Sequence, residues 1–301
     1  MWQSPPFVII MALVATAVGV VFYYETRRAW VLYRQRMSVL RDIPGYWFPR
    51  GLANKRSGSL DRAIEDFSRV IHADPQSLRP LTDEYRLLAL YERGQLWAQR
   101  EPDSHDLTVE DLSEAIRLHP KSVPGNSLGP ETGNAPIGQY PSVGELYHRR
   151  GRSHAALGML GEALEDYSAT IEFIVAGAAD SSGRFPDPAV EDDLYFLFRN
   201  PYFDRGSVYK DLGRYEEAVD NFTQAEDFFK RHDPEAVAGA YHDRGLAYLE
   251  WGKYAEALAD LDVAISEYER DSSPDAPPEI HAERTAALES LGQIAEAESN
   301  G

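Results

Sequence analysis

The chain of 301 residues contains no cysteine, and this absence excludes several classes of site. A disulfide framework, a thiolate zinc site, an iron–sulfur cluster and covalently attached haem all depend on cysteine. The phosphate-binding patterns GxGxxG and GxxxxGK[ST], the zinc pattern HExxH and an EF-hand loop are also missing. No serine has a catalytic base that the sequence identifies as its partner. We therefore expect no enzyme, no cofactor and no metal site.

Basic residues are scarce, because 30 Lys and Arg face 49 Asp and Glu, which gives a net charge of −19. Residues 1–50 hold six arginines and two acidic residues, so the acidity lies entirely in residues 51–301. A body this acidic repels phosphate backbones, and we expect no nucleic-acid partner. The acidity either keeps a crowded helical protein soluble or complements a basic segment of a partner protein.

One long apolar run, FVIIMALVATAVGVVFYY from Phe7 to Tyr24, carries no charge. Eighteen helical residues span about 27 Å, close to the roughly 30 Å of a bilayer core. Trp2 and the aromatic end of the run suit the membrane interface. The run predicts a single transmembrane helix. The alternative is a signal peptide cleaved after Ala17, but no Lys or Arg precedes the run.

Arginines follow the apolar run, and none precedes it. The positive-inside rule then places the N-terminus outside and the acidic body in the cytoplasm of a single-pass membrane protein. We expect the anchor and a basic juxtamembrane helix to occupy residues 1–45, with Pro44 and Gly45 ending that helix. The basic stretch could lie on anionic lipid, on another membrane helix or on the following domain.

The remaining sequence repeats itself, because an Arg-Gly pair preceded by an aromatic residue occurs four times. A second glycine follows the first after seven residues, an alanine after twelve and a large apolar residue after sixteen. The four copies of the first three positions are Gly51, Gly58 and Ala63; Gly151, Gly158 and Ala163; Gly206, Gly213 and Ala218; and Gly245, Gly252 and Ala257. The last position is Phe67, Tyr167, Phe222 and Leu261.

This spacing predicts helix–turn–helix hairpins. The first glycine and the alanine are small, so two antiparallel helices can approach closely there. The second glycine suits a left-handed cap that ends the first helix of the hairpin, called helix A below. A single hairpin cannot bury its apolar face alone, so we expect the hairpins to stack.

The repeated residues resemble the tetratricopeptide repeat (TPR), with its pattern W-x2-L-G-x2-Y…A-x3-F…P, although Arg replaces the usual Leu before the first glycine. The resemblance implies an all-α solenoid of about five hairpins with a C-terminal capping helix, occupying 46–301. The expected copies are 46–79, 80–120, 144–176, 199–234, 238–271 and a partial hairpin at 278–301. Loop insertions are expected at 121–143 and 177–198. Helix A of the second copy, at about residues 83–99, is expected to lack the Arg-Gly pair, and Thr285 holds the first-glycine position of the last copy.

The resemblance also implies a partner-binding groove lined by the helices A. The groove positions are His148, Arg149, Arg152, Phe203, Ser207, His242 and Leu246. Some family members hold the C-terminal carboxylate of a chaperone with paired Lys and Asn at such positions, and this chain lacks those pairs. We expect the repeated arginines at 50, 150, 205 and 244 to pair with carboxylates of adjacent helices.

Two functions fit this sequence. The first is a membrane-anchored scaffold that recruits or assembles other proteins without catalysis. The second is a fixed accessory subunit of a larger bioenergetic or transport complex in the membrane. In that case the apolar helix itself is an interface, since Ala15, Ala17 and Gly19 offer it a small-residue face.

Overall fold

The computed structural model describes residues 44–73, 82–100, 104–119, 141–178, 201–270 and 277–299. Across these ranges the chain forms eleven α-helices, one short 3-10 helix and no strand. The predicted membrane span and most of the basic stretch after it lie outside the described residues. Within those residues, no helix combines the length and the apolarity that a bilayer crossing requires.

The helices form successive hairpins, each with a helix A and a second helix, called helix B. The first two hairpins are α1 (Pro44–Arg56) with α2 (Leu60–Ile71), and α3 (Thr82–Ala98) with α4 (His105–Leu118). The next two are α5 (Val143–Ala156) with α6 (Leu160–Ala178), and α7 (Pro201–Asp211) with α8 (Tyr215–His232). After a 3-10 turn (Pro234–Ala236) come α9 (Val237–Trp251) with α10 (Tyr254–Arg270), and finally α11 (Ile280–Ser299).

The chain divides into two compact units between Ala89 and Leu90, within α3. The first unit contains the hairpin α1–α2 and the beginning of α3, where Phe48 packs against Phe67 and Tyr85. The second unit contains the hairpins from α5 to α10, stacked in chain order, with α11 packed on α10. Its core includes a cluster of Leu261, Ala264 and Ile280 that joins α10 to α11.

The predicted role of each hairpin glycine is confirmed. A Cβ on Gly51 would stand 2.7 Å from the Phe67 ring, and one on Gly151 would stand 2.9 Å from Tyr167. The helices therefore approach too closely for a larger residue. The second glycine of the four gapless copies has a positive φ of 70–79°, which disfavours residues with a side chain. The alanine of each copy is fully buried.

The second hairpin differs from the expectation, because it does contain an Arg-Gly pair. Arg93 and Gly94 form an Arg-Gly pair at the same place as in the other copies, and Gly94 lies against Leu112 of α4. Arg93 and Asp111 are 18 residues apart, whereas the paired residues of the gapless copies are 16 apart, so the second hairpin has two extra residues between its arginine and its acceptor. An alignment without gaps therefore missed the pair.

The hairpin ends differ slightly from the expected copies. Helix α6 continues to Ala178, two residues into the expected insertion, and Ser142 caps α5 by accepting a hydrogen bond from the Glu145 amide at 3.1 Å. Val143, the last residue of the other expected insertion, already begins α5, and residues 121–140 and 179–198 lie outside the described ranges. The partial last hairpin is a single continuous helix, in which Gly292 is an ordinary helical residue. Thr285 replaces the small residue that would let a second helix approach.

Candidate functional site

The repeated arginine on helix A binds an acceptor on helix B of the same hairpin. In the third hairpin, Arg150 donates from Nε and Nη2 to the two carboxylate oxygens of Asp166, at 2.9 and 2.6 Å. The same two-bond geometry joins Arg93 to Asp111 and Arg244 to Asp260. Arg50 binds Asp66 in the same way. The expected pairing with carboxylates is therefore confirmed for Arg50, Arg150 and Arg244. Arg205 instead binds the amide oxygen of Asn221.

These carboxylates are buried, and the arginine that each one binds compensates its charge. Asp66 has no exposed surface, and Asp166 is 3% exposed. Burial raises the pKa of Asp111, although its hydrogen bonds with Arg93 oppose that rise. Burial opposes the charge of Arg244 too, but Asp260 and Glu226 raise its pKa above the ordinary value. The ion pairs are thus internal parts of the repeat fold.

The remaining guanidinium nitrogen links neighbouring hairpins of the second unit. Arg150 Nη1 donates to Ser113 Oγ of α4 at 3.0 Å, and Arg205 Nη1 donates to Ser168 Oγ of α6 at 3.1 Å. Arg244 Nη1 donates to Thr223 Oγ1 of α8 at 3.0 Å. Each arginine therefore binds its own helix B and the helix B of the preceding hairpin.

This network has a sequence pattern of its own, in addition to the repeated positions described above. The acceptor, the large apolar residue and the hydroxyl residue are consecutive in each helix B. They occur as Asp66-Phe67-Ser68, Asp111-Leu112-Ser113, Asp166-Tyr167-Ser168 and Asn221-Phe222-Thr223. The fifth copy is Asp260-Leu261-Asp262, and Asp262 accepts from Arg284 of α11 at 2.5 Å.

The two groove histidines face the following hairpin. His148 is 3% exposed, and its Nε2 lies 2.7 Å from Asp204 Oδ2 of α7. His242 holds the equivalent place in α9, with Nε2 2.6 Å from Glu283 Oε2 of α11. Both side chains thus join successive helices A, and His148 has almost no surface left for an external ligand.

Phe203 and Arg149 are also engaged within the protein. The Phe203 ring packs on Phe222 and Phe229 of α8, with ring centroids 5.6 and 6.1 Å away. Arg149 donates to Glu145 at 2.9 Å and lies over the Tyr91 ring. Its side chain nevertheless remains 38% exposed.

Three expected groove residues occupy one equivalent position, directly after the first glycine of their hairpins. Arg152 on α5 is exposed, whereas Ser207 on α7 and Leu246 on α9 are half-buried. Equivalent positions in stacked repeats lie on the same side of the stack. The three helices therefore present a cationic, a hydroxyl and an apolar side chain in succession.

The described residues contain no group of three His, Asp or Glu side chains that could hold a metal ion. Several titratable groups meet at the contact between α8 and α9. There Glu226 accepts hydrogen bonds from Tyr241, Lys230 and Arg244. Burial of Glu226 raises its pKa, but these three donors outweigh that effect and lower it. This cluster stabilises the contact between two hairpins.

Comparison with known proteins supports the repeat assignment. The sequence model of the tetratricopeptide-repeat family matches residues 203–277, which contain the fourth and fifth hairpins. Comparison with curated protein sequences gave no match.

Several solved structures resemble most of this chain. The MamA protein is 17% identical with a TM-score of 0.51, and the match covers 78% of this chain and 96% of MamA. A putative kinesin light chain from Podosopora anserina is 16% identical with a TM-score of 0.53, covering 76% of this chain and 96% of that one. YrrB, a TPR protein, is 16% identical with a TM-score of 0.50, covering 82% and 90%. These matches and the family model support an all-helical, TPR-like repeat fold.

Proposed function

We propose that this protein is a membrane-anchored scaffold that binds other proteins through its helices A and catalyses no reaction. TPR-type folds generally act as non-catalytic interaction modules. The observation that carries the proposal is the row formed by Arg152, Ser207 and Leu246, which occupy one equivalent position on three successive helices A and are exposed or half-buried. YrrB, which has a similar fold, is described as having an unusual peptide-binding site. A protein segment is accordingly the ligand class that suits this surface.

The row also suggests what the bound segment contains. Arg152 has no ion-pair partner among the described residues, and guanidinium groups bind carboxylates strongly. Leu246 offers an apolar contact on the third helix. A segment that carries a carboxylate and, further along, an apolar side chain would complement both ends of the row.

Affinity purification of the full chain from membranes tests the scaffold. We expect partners in stoichiometric amounts, and we expect Arg152→Glu and Leu246→Glu to reduce their recovery by about tenfold, because a lost anchor contact costs about 1–2 kcal/mol. Matched controls on helices B are Arg231→Glu on α8 and Val263→Glu on α10, both exposed residues. A monomer without partners in mild detergent, or equal loss with the controls, would contradict the proposal.

The membrane anchor rests on the apolar run from Phe7 to Tyr24 and on the arginines that follow it. Alkaline extraction of membranes tests it, since an integral chain stays in the membrane pellet and a chain without residues 1–24 is released. Protease added to the cytoplasmic face should digest the repeats. Measuring the intact mass of the mature chain shows whether the signal-peptide alternative applies.

Replacing residues 7–24 with an unrelated apolar helix separates the scaffold from the fixed-subunit alternative. Partner binding by a scaffold should survive the exchange, because the helix only holds the repeats at the membrane. Loss of the partners would instead indicate that the small-residue face of Ala15, Ala17 and Gly19 packs in a larger complex.

A further inference from the structure

Among the described residues no hairpin precedes the first one, so the face that other hairpins pack against their predecessor has no such neighbour there. In α9, Tyr241 donates to Glu226 of the preceding helix B at 2.7 Å, beside the contact of Arg244 with Thr223. Trp47 and Arg50 hold these two positions in α1, which is the first helix A among the described residues. Among the described residues no helix B precedes α1, and Arg50 interacts with Asp66 and Tyr46 of its own hairpin.

Two guanidinium groups lie on this face, on either helix of the hairpin. Arg50 of α1 and Arg69 of α2 lie 4.2 and 4.1 Å from the Trp47 ring. The side chain of Arg50 is 42% exposed, whereas those of Arg150 and Arg244 are 20% and 12% exposed. Trp47 itself is 7% exposed, so it orients the arginines and offers little surface of its own.

The charge of the chain is divided at this hairpin. Residues 44–73 hold five basic and three acidic residues, whereas residues 74–301 hold 20 basic and 44 acidic residues. Within α2, Arg62 is exposed and precedes Arg69 by seven residues, which places both on one side of the helix. The first hairpin therefore attracts anions, although the rest of the body repels them.

The predicted membrane span also holds this hairpin close to the bilayer. The span ends at Tyr24 and α1 begins at Pro44, so nineteen residues connect them. Even fully extended, they reach only about 65 Å. The local concentration of lipid at the hairpin is accordingly high, and a weak attraction is enough to bind it.

We propose that Arg50, Arg62 and Arg69, arranged around Trp47, bind anionic phospholipid headgroups, so that the first hairpin lies against the bilayer. Guanidinium groups bind phosphate through paired N–H donors. Each basic residue near an anionic surface contributes up to about 1 kcal/mol, although Asp66 and Glu65 offset part of that here. The inference rests on the proposed anchor.

A single fluorescent label tests this contact, because the chain has no other cysteine. The full chain with Ser57→Cys carries the label in the α1–α2 turn, one residue before Gly58. Leu212→Cys is the matched control, one residue before Gly213 in the α7–α8 turn. Each chain is reconstituted in phosphatidylcholine vesicles with a spin-labelled headgroup quencher, with and without phosphatidylserine.

We expect phosphatidylserine to increase quenching at position 57 by about fivefold and to leave position 212 unchanged, with the increase disappearing in high salt. Arg62→Glu with Arg69→Glu should abolish the increase, whereas Arg214→Glu, an exposed arginine paired with Glu217, should not. Arg62→Glu alone, at an exposed residue, should reduce the increase even if the double variant fails to fold.

Quenching at position 57 that ignores lipid charge, or that survives these reversals, would overturn the inference and point to another occupant, such as an acidic protein. Flotation with pure phosphatidylcholine vesicles tests the anchor separately. A chain that does not float lacks the anchor, and the effect of phosphatidylserine on position 57 still decides whether the hairpin binds anionic lipid.

Discussion

The third and fourth hairpins have the same repeated positions, but the buried acceptor of the arginine is Asp166 in the third and Asn221 in the fourth. Arg150 makes two bonds to the Asp166 carboxylate, and His154 Nδ1 lies 3.0 Å from the same group. Arg205 makes one bond of 2.9 Å to the Asn221 amide oxygen. The glycine contacts are nevertheless alike, since a Cβ would stand 2.9 Å from the Tyr167 ring and 3.0 Å from the Phe222 ring.

The contribution of apolar packing to these hairpins can be distinguished from that of the buried charge. Both hairpins close with the same helix spacing, although only one has a buried ion pair. A buried ion pair is therefore not required to close a hairpin, because a neutral hydrogen bond beside the same glycine contact is enough. This agrees with the general finding that buried ion pairs gain little net stability over neutral alternatives, while unpaired buried charges are costly.

The largest effect should come from the feature that both hairpins share. Gly151→Val and Gly206→Val each force side-chain atoms into an aromatic ring, and we expect a loss of about 3 kcal/mol in unfolding free energy for either. Urea unfolding followed by circular dichroism measures this loss. Gly161→Ala in α6 is the control, because its Cβ would meet nothing within 4 Å. A small effect at either hairpin glycine would refute the packing argument.

The next-largest effect is expected when the third hairpin receives the amide acceptor of the fourth. Asp166→Asn keeps one acceptor for Arg150 but removes the charge that faces Arg150 and His154, and we expect a loss of about 2 kcal/mol. Native-state hydrogen exchange should show faster opening of α5 and α6 amides. If exchange in α5 and α6 were unchanged, the ion pair would contribute nothing.

The reverse substitution should stabilise the fourth hairpin. Asn221→Asp lets Arg205 form a two-bond pair at a position that is 7% exposed, and we expect a gain of about 1 kcal/mol. The midpoint of urea unfolding should rise. Ser168→Ala measures the separate contribution of the Arg205 bond to the preceding hairpin. A lower midpoint for Asn221→Asp would show that the site cannot hold a carboxylate.

The smallest effect depends on pH. The pKa of Glu226 in the folded protein is lowered from an ordinary value of 4.5, so its ionised form stabilises the fold above that pH. Glu226→Gln should cost about 1 kcal/mol at pH 7. The difference between the two proteins should shrink as pH falls below about 4.5, through the lower folded-state pKa. A difference that stays constant from pH 7 to pH 3 would contradict this assignment.

Some features were predictable because they depend on short, fixed separations. Gly151, Gly158 and Ala163 specify a close contact, a turn and a second close contact within one hairpin, and the structure has all three. Arg93 and Gly94 were missed only because the α3–α4 connection has a different length. The triplets around Asp66 and its equivalents are also present in the sequence, but only the structure shows which carboxylate each repeated arginine binds.

The sequence alone determined the helical hairpins and their repeat, because glycine and alanine at fixed spacing leave few other ways to pack two helices. Tertiary structure decided which polar residues are available to a partner. His148 is an expected groove residue by position, yet it is buried against Asp204, 56 residues away in the chain. Gly292 likewise lies inside the continuous helix α11, which packs on α9 and α10. Such outcomes depend on how neighbouring hairpins stack, and local spacing does not encode that.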